Sequence, residues 1–162
     1  MQIYTSGTGN SPLSIGGSVT GAGSTDFWLA ANYSNVSITG NITDNSTGGT
    51  DYFQAGYVGT NVENGAATFT VGGNITIASS SGKILNFQAA ASPITLNQAN
   101  LTLSSASILT NAANSSITLG GNITTSSSIN IATSGSNSPI TLNGTLTSTA
   151  SKDCIIRQQF GY

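Results

Sequence analysis

The residues of this sequence that could perform acid–base chemistry lie mainly between positions 44 and 63. They are carboxylates, because the sequence contains no histidine. Two carboxylates beside aromatic rings are typical of glycoside hydrolases, in which one acts as an acid and the other as a base or nucleophile. The alternative is that they are solvated loop charges. The carboxylates and aromatic residues of this segment are Asp44, Asp51, Tyr52, Phe53, Tyr57 and Glu63.

The lack of histidine and the single cysteine exclude most other catalytic and metal chemistry. Ser/His/Asp triads, Cys/His pairs, His-based zinc sites and thiolate clusters need residues that the sequence does not contain. Calcium-binding β-rolls repeat Gly-Gly-x-Gly-x-Asp, whereas Gly72-Gly73-Asn74 and Gly120-Gly121-Asn122 lack the aspartate. We therefore predict no metal, no cofactor and no catalytic residues, with a lone calcium site on a loop as an open alternative. A glycoside hydrolase or lyase is the enzymatic alternative.

Charged residues are scarce throughout the chain. They make up 5% of the 162 residues, and the net charge is −2. The basic residues Lys83, Lys152 and Arg157 form no stripe, whereas binding to a phosphate backbone normally needs several close together. The sequence also has no apolar run long enough to cross a membrane as a helix. We predict neither a nucleic-acid partner nor a membrane span.

A repeated phrase indicates the architecture that must position these residues. Three copies of it start 23 residues apart. A fixed period of this length is typical of a solenoid, in which each repeat buries its apolar face only against its neighbours. The three copies are Ser92-Pro93-Ile94-Thr95-Leu96, Ser115-Ser116-Ile117-Thr118-Leu119 and Ser138-Pro139-Ile140-Thr141-Leu142.

Looser copies carry the repeat towards the N-terminus, at Leu13-Ser14-Ile15, Val36-Ser37-Ile38 and Phe69-Thr70-Val71. We therefore predict an all-β fold, a single parallel β-solenoid of about six coils, in which the apolar residues of these phrases form continuous interior stacks. The second coil is about ten residues longer than the others, which predicts a loop insertion at about 44–62. After a lead-in of residues 1–10, the predicted coils span 11–33, 34–66, 67–91, 92–114, 115–137 and 138–162.

Each coil is predicted to contain three short strands joined by polar corners. Alternation such as Ile94-Thr95-Leu96 points two side chains inward and one outward. Gly-Asn corners suit left-handed backbone conformations, and we expect their asparagine amides to pair between coils. Helix is disfavoured because Gly, Ser, Thr and Asn are poor residues for a helix interior. In the last coil, Cys154 is predicted to be a small buried hydrophobic residue.

The outward hydroxyl residues of the first strands should form a row with a spacing of about 4.8 Å. Such a hydroxyl–methyl array could order water, so an ice-binding solenoid is an alternative function. The row is only one residue wide in each strand, and the solvent face of a strand favours threonine in any case. The row consists of Ser14, Ser37, Thr70, Thr95, Thr118 and Thr141.

Three phrases set in Ser/Ala/Gly-rich spacers carry a family resemblance: Gly73-Asn74-Ile75-Thr76-Ile77, Asn100-Leu101-Thr102-Leu103 and Gly121-Asn122-Ile123-Thr124. They resemble the repeats of filamentous-haemagglutinin-like adhesins and autotransporter passengers. The resemblance covers most of residues 67–150. It implies a single-stranded right-handed parallel β-helix on a Gram-negative cell surface or in a secreted filament, and it carries no catalytic residues.

The aromatic residues are concentrated before residue 70 and predict a specialised N-terminal end. There, aromatic rings and carboxylates could bind a cell-surface glycan or protein. The alternative is a cap that prevents edge pairing of the terminal coil. The candidate partner-binding residues are Trp28, Asp51, Tyr52, Phe53, Tyr57 and Glu63.

These observations favour a structural or adhesive segment of a secreted or cell-surface adhesin or fibre. Uncapped terminal coils predict end-to-end association. A polysaccharide-binding or polysaccharide-degrading solenoid of the phage tail-fibre type is the alternative from another class. Residues 1–7 lack the basic and apolar regions of a signal peptide, so we interpret the chain as a fragment of a longer extracellular polypeptide, or as a virion protein.

Overall fold

The computed structural model describes residues 1–23, 26–59, 61–151 and 153–158, and within these ranges the chain forms 21 strands and no helix. We number the strands β1 to β21 in chain order. Parallel strands stack as a β-solenoid of six three-strand coils, preceded by one further strand, which gives about seven turns. Paired residues such as Leu13 and Val36 lie 23 positions apart, so the predicted fold and period are confirmed. Lys152 and the predicted coil end at 159–162 lie outside the described residues.

One face of the solenoid is a continuous seven-stranded parallel sheet, here called the long sheet. Its strands pair in register, so that Trp28 lies opposite Tyr52, and Phe53 lies opposite Phe87. The strands are, in spatial order, β1 (Gln2–Thr5), β4 (Phe27–Ala31), β7 (Thr50–Ala55), β12 (Ile84–Ala89), β15 (Ser105–Thr110), β18 (Ile129–Thr133) and β21 (Cys154–Gln158).

The other two faces are each divided into two three-stranded sheets, and the division falls between the third and fourth coils. The first face contains β2 (Leu13–Ile15), β5 (Val36–Ile38) and β10 (Phe69–Val71), then β13 (Ile94–Leu96), β16 (Ile117–Leu119) and β19 (Ile140–Leu142). The second face contains β3 (Val19–Gly21), β6 (Ile42–Asp44) and β11 (Ile75–Ile77), then β14 (Leu101–Leu103), β17 (Ile123–Thr125) and β20 (Leu146–Ser148).

The lengths of the corners explain why these faces are interrupted. The corner that leads into the long sheet has six residues in the third coil, 78–83, and a single residue, Ser104, in the fourth. The corner that leaves the long sheet has four residues after β12, 90–93, and six after β15, 111–116. Since the coils are matched in the long sheet, this change displaces their other strands. The interior stack that was predicted to run from Val71 to Leu96 is therefore two stacks.

A side chain replaces the missing strand pairing on the second face. Gln98 lies in the corner of the fourth coil, and its amide binds both backbone groups of Ile77 in the third coil. Ile77 N–H donates to Gln98 Oε1 at 2.9 Å, and Gln98 Nε2 donates to the Ile77 carbonyl at 2.5 Å. This bidentate contact imitates a neighbouring strand and holds the two blocks of coils together.

The core runs through the solenoid and changes in composition along it. In the strands Val36–Ile38 and Ile94–Leu96, the outer two residues are buried and the middle one is exposed, which confirms the predicted alternation. In the first three coils, Phe27, Phe53, Phe69 and Phe87 pack edge to face with centroids 5.5–6.1 Å apart. Later coils fill the same interior with Ile and Leu.

Two expectations about the polar corners have opposite outcomes. The predicted pairing of corner asparagines is confirmed for one pair, since Asn122 Nδ2 donates to Asn100 Oδ1 at 2.8 Å. The left-handed backbone expected at the Gly-Asn corners is wrong for Gly72-Gly73-Asn74 and Gly120-Gly121-Asn122, which have no positive φ.

Cys154, predicted to be buried, is exposed. It pairs with the buried Ile129 in register, but β21 is the outer strand of the long sheet, so no further described strand covers its side chain.

The interior stacks predict a large effect of an inward charge. Leu119 is 1% exposed, so Leu119→Asp places an unpaired carboxylate in an apolar stack. We expect the free energy of unfolding to fall by at least about 4 kcal/mol, measured by chemical denaturation.

The matched control is Thr141→Asp in the next coil, where the side chain faces solvent. It should change the free energy of unfolding by less than about 0.5 kcal/mol. Equal losses in the two variants would contradict the assignment of inward and outward positions.

Candidate functional site

Two of the predicted partner-binding residues, Trp28 and Tyr52, lie side by side on the outer surface of the long sheet. Tyr4 joins them from β1, and we call the three residues the aromatic row. The ring centroids of Tyr4 and Trp28 are 4.8 Å apart at an interplanar angle of 16°, and those of Trp28 and Tyr52 are 4.8 Å apart at 32°. The row therefore places stacked aromatic rings along the first three strands of the long sheet.

The stacking limits how the aromatic row can bind a partner. Each ring covers a face of its neighbour, so that Trp28 and Tyr52 are only half-exposed, and the indole Nε1 of Trp28 is buried without a hydrogen-bond partner. Tyr4 is the most exposed member, at 47%. A sugar or peptide could pack against Tyr4 and the half-exposed rings. Each stacked pair also stabilises the adjacent strands by about 0.5–1.5 kcal/mol beyond its buried area.

The structure places three other predicted residues in the interior. Asp51 and Phe53 are fully buried because they alternate with Tyr52 on the same strand and point into the solenoid. Tyr57 is 2% exposed, and its burial raises the pKa of the phenol to about 12. These three side chains therefore offer no surface for a partner of the size of a glycan or protein.

The extra residues of the second coil form a hairpin that lies later in the coil than the predicted 44–62. Asp44 and residues 51–55 belong to regular strands that pair in register with both neighbouring coils. The extra residues, 56–66, contain two short antiparallel strands, β8 (Tyr57–Val58) and β9 (Asn61–Val62). The loop predicted at 44–62 is wrong for Asp44 and Asp51, because buried and outward side chains alternate along their strands and both carboxyls occupy buried positions.

Glycine is required where the hairpin begins. Gly56 has a φ of 72°, and an added Cβ would lie 2.3 Å from the carbonyl oxygen of Asn64. The hairpin then folds over the outer surface, where the carbonyl of Gly59 accepts a hydrogen bond from Gln54 Nε2 at 3.3 Å. Glu63 is exposed on this hairpin, beside a polar cleft that Tyr33, Asn35 and Asn64 help to line.

A cluster of charged residues that the sequence did not reveal lies inside the solenoid. It consists of Lys83, Asp44, Asp51 and Ser46, here called the Lys83 cluster, and each residue is at most 2% exposed. Lys83 Nζ donates to Asp44 Oδ2, to Ser46 Oγ at 2.8 Å and to Asp51 Oδ1 at 3.0 Å. Ser46 in turn donates to both oxygens of Asp44, from N–H at 3.0 Å and from Oγ at 2.7 Å.

The register of the strands explains how the cluster is held. Asp51 lies between Phe27 and Leu85 in the long sheet, so both of its neighbours along the stack are apolar. Asp44 lies next to Gly21, where an added Cβ would approach Asp44 Oδ1 to 3.0 Å and the Phe27 ring to 2.5 Å. Gly21 therefore leaves room for the carboxyl and for the ring.

The ammonium of Lys83 can balance the charge of only one of the two carboxylates, Asp44 and Asp51. The cluster is therefore neutral when one of the two carboxyls holds a proton. Burial and the neighbouring Asp44 raise the pKa of Asp51 to about 7, against the opposing effect of Lys83. Burial also raises the pKa of Asp44, but hydrogen bonds from Lys83 and Ser46 outweigh it, and the net pKa is below its usual value. The proton therefore resides on Asp51, whose Oδ2 has no other partner.

A groove separates the third and fourth coils on the first face. Its volume is about 330 Å³, and it reaches Phe69 and Phe87 between polar walls that include Asn74, Thr95 and Asn97. On either side of the groove, backbone groups point away from it. Thr68 and Gly72 are hydrogen-bonded to the second coil, and Ile94 and Leu96 to the fifth coil. Because backbone groups alternate in direction along a strand, those of Val71 and Thr95 face the groove. The groove also interrupts the predicted hydroxyl row between Thr70 and Thr95.

The part of the chain that the structure describes contains neither a metal-ligand cluster nor a membrane-spanning helix. Among the described residues, no group of three or more His, Cys, Asp or Glu side chains could hold a metal ion. Within the same ranges, no helix is long and apolar enough to cross a membrane. No family model, curated protein or solved structure matches this chain.

The Lys83 cluster is not visible as a local pattern in the sequence. Its members come from three separate stretches, at 44–46, 51 and 83, and only the three-dimensional register brings them together. One signal was available in the sequence: Asp44 and Asp51 occupy inward positions of alternating strands. An inward carboxylate predicts a buried partner, and Lys83 precedes the matching strand of the next coil.

The pKa of Asp51 predicts an unusual dependence of stability on pH. The carboxyl titrates near its ordinary value of 3.8 when the chain is unfolded and near 7 when it is folded. Between these values the folded chain binds the additional proton, so the free energy of unfolding should decrease as pH rises from about 4 to about 7. Asp44 acts in the opposite sense only below this window, since its pKa is lowered.

The measurement is chemical denaturation at a series of pH values. Asp51→Asn should abolish the decrease between about pH 4 and 7, whereas Asp153→Asn, at an exposed position, should retain it. A slope that persists in Asp51→Asn would show that another group is responsible.

Proposed function

We propose that this chain is a structural and adhesive segment of a secreted or cell-surface fibre, in which the solenoid extends and presents a contact surface. The observation that carries the proposal is the long sheet, which runs through all six coils without interruption. A rod of this kind suits a role as a spacer between an anchor and a binding end. An extracellular or cell-surface location follows from the same proposal, with a virion as the alternative.

The composition of the surface supports a spacer role. Only 5% of residues are charged, and three of the eight charged side chains are buried in the Lys83 cluster. The outward positions of the repeated strands carry Ser and Thr, as in Thr95, Thr118 and Thr141. A neutral hydroxyl surface of this kind lacks the charge that would attract nucleic acid.

The aromatic row is the best candidate for a contact surface. It combines exposed Tyr4 with the half-exposed rings of Trp28 and Tyr52, and aromatic residues are the side chains that most often dominate binding energy at interfaces. Glu63 and the polar cleft at the hairpin provide a second patch near the same end. We propose a cell-surface glycan or protein as the partner. End-to-end association through the outer edges of β1 and β21 belongs to the same proposal.

We further propose that the chain is not an enzyme. A glycoside hydrolase needs two carboxyls about 5–10 Å apart on either side of its substrate. Asp51 points into the solenoid and is bound to Lys83, whereas Glu63 is exposed on the hairpin that covers the outer surface. The interior position of Asp51, shared by Asp44, thus sets both apart from Glu63, the third carboxylate of the segment 44–63.

The proposal is tested with the immobilised chain on a glycan array and on whole cells. Trp28→Ala should weaken binding by more than about tenfold while the melting temperature shows that the variant is folded. Tyr4→Ser, at the most exposed ring, should give a similar loss. The matched control is Asn130→Ala, which lies in the same outward column at the other end of the long sheet.

Absence of binding to every probe, or binding that all three variants retain, would contradict the contact surface. Release of reducing sugar from a polysaccharide, lost in Glu63→Gln, would instead show the enzymatic alternative. Thermal hysteresis abolished by Thr118→Tyr would show an ice-binding surface.

A further inference from the structure

We propose that Lys83 and Asp44 form an intramolecular amide bond inside the folded solenoid, with Asp51 as the residue that relays protons. This covalent cross-link is independent of the proposed function. It would join the second coil to the third, across a separation of 39 residues. Four features of the Lys83 cluster favour this bond: contact, burial, hydrogen bonding of the carboxyl, and a neighbouring acid.

The amine and the carboxyl are already in contact. Lys83 Nζ donates to Asp44 Oδ2, and both side chains have no exposed surface. Holding the two reactants together converts a bimolecular condensation into an intramolecular step, for which effective concentrations are very high. The fold therefore supplies the positioning that the same two groups lack when they are free in water.

The hydrogen bonds around Asp44 mark it as the group that is attacked. Its two oxygens accept from Ser46, Oδ1 from the backbone N–H and Oδ2 from the hydroxyl. When Nζ adds to Cγ, negative charge develops on these oxygens. Preorganised donors at such a position stabilise the intermediate of acyl transfer, so Ser46 would act as the oxyanion donor.

Asp51 is placed to move the protons. Its Oδ1 lies 3.0 Å from Lys83 Nζ, and its Oδ2 has no hydrogen-bond partner. Burial and Asp44 raise its pKa to about 7, so that both its protonated and its ionised forms are populated near neutral pH. A group with such a pKa is suited to accept a proton from the amine and to return one to the departing oxygen.

The step balances without an oxidant or a further reactant. A proton passes from the ammonium of Lys83 to the carboxylate of Asp44 through Asp51, and the neutral amine adds to Cγ. Asp51 then accepts a second proton from Nζ and gives it to the hydroxyl group on Cγ, the C–O bond breaks to release water, and Nζ keeps one hydrogen in the amide. The ammonium and the carboxylate are thus replaced by one amide and one water, and Asp51 is regenerated.

Burial favours the product. A charged pair in an apolar interior carries a desolvation penalty that a neutral amide does not. The remaining N–H of the amide can still donate to Asp51 Oδ1, which is already within hydrogen-bond distance of Nζ. The fold also separates the bond from solvent water, which hydrolysis would require.

The test is intact-mass measurement of the denatured full-length chain. The wild type should be lighter by one water molecule than its sequence requires, while Lys83→Arg, which keeps the positive charge, should have its full sequence mass. Asp51→Asn should also have its full mass, or lose water much more slowly. Asp153→Asn, an exposed carboxyl outside the cluster, should lose water as the wild type does.

Trypsin provides a second readout that does not depend on the variants. The chain has three cleavage residues, Lys83, Lys152 and Arg157, and trypsin does not cleave after an acylated lysine. The denatured wild type should resist cleavage after Lys83, and fragment masses should locate the bond between Lys83 and Asp44. Cleavage after Lys83, or a wild-type chain of full sequence mass, would overturn the proposal. A bond to Asp51 would overturn the roles of the two carboxyls.

Discussion

The in-register pairing of the long sheet is the constraint on which the rest of this structure depends. It is the one face along which all six coils remain matched, because the corners on either side of it change in length between the third and fourth coils. The other faces adapt to this change by dividing, and Gln98 bridges the division on one of them. The aromatic row, the Phe-rich interior and the position of Asp51 all follow from which residues the long sheet places in the same column.

The Lys83 cluster is the strongest departure from the simple pattern of an apolar interior. A buried ion pair rarely stabilises a fold more than apolar residues of equal volume would, because desolvation offsets the attraction between the charges. The cluster has an additional carboxyl that must hold a proton, and it lies at the corner that leads from the second face into the long sheet. A covalent bond at this corner would replace the buried charged pair with a cross-link between the second and third coils, one coil away from the groove.

The sequence predicted the fold well because the repeated phrase is itself the structural unit. Ile94, Ile117 and Ile140 stack as expected, since alternation and a constant period fully specify which side chains meet. The sequence does not predict that the first face divides between Val71 and Leu96. The two repeat phrases are similar, and the change in corner length lies outside them. The candidate site was predicted in part. Trp28 and Tyr52 are neighbours on the outer surface. Asp51 is predicted in a loop, but it lies on a strand whose side chains alternate between outside and inside, and its carboxyl points inward. The ion pair between Lys83 and Asp44 depends on how the second and third coils align. No local sequence pattern predicts it.

Hydrogen exchange across the boundary between the third and fourth coils tests the central claim most directly. If the long sheet is the sheet that continues across this boundary, amides of β12 and β15 should be as strongly protected as those within either block. The amides of Val71 and Thr95, which face the groove, should exchange much faster than those of Thr70 and Leu96, which face neighbouring strands. Rapid exchange throughout β12 and β15 would contradict the account, because it would show two independent blocks of three coils.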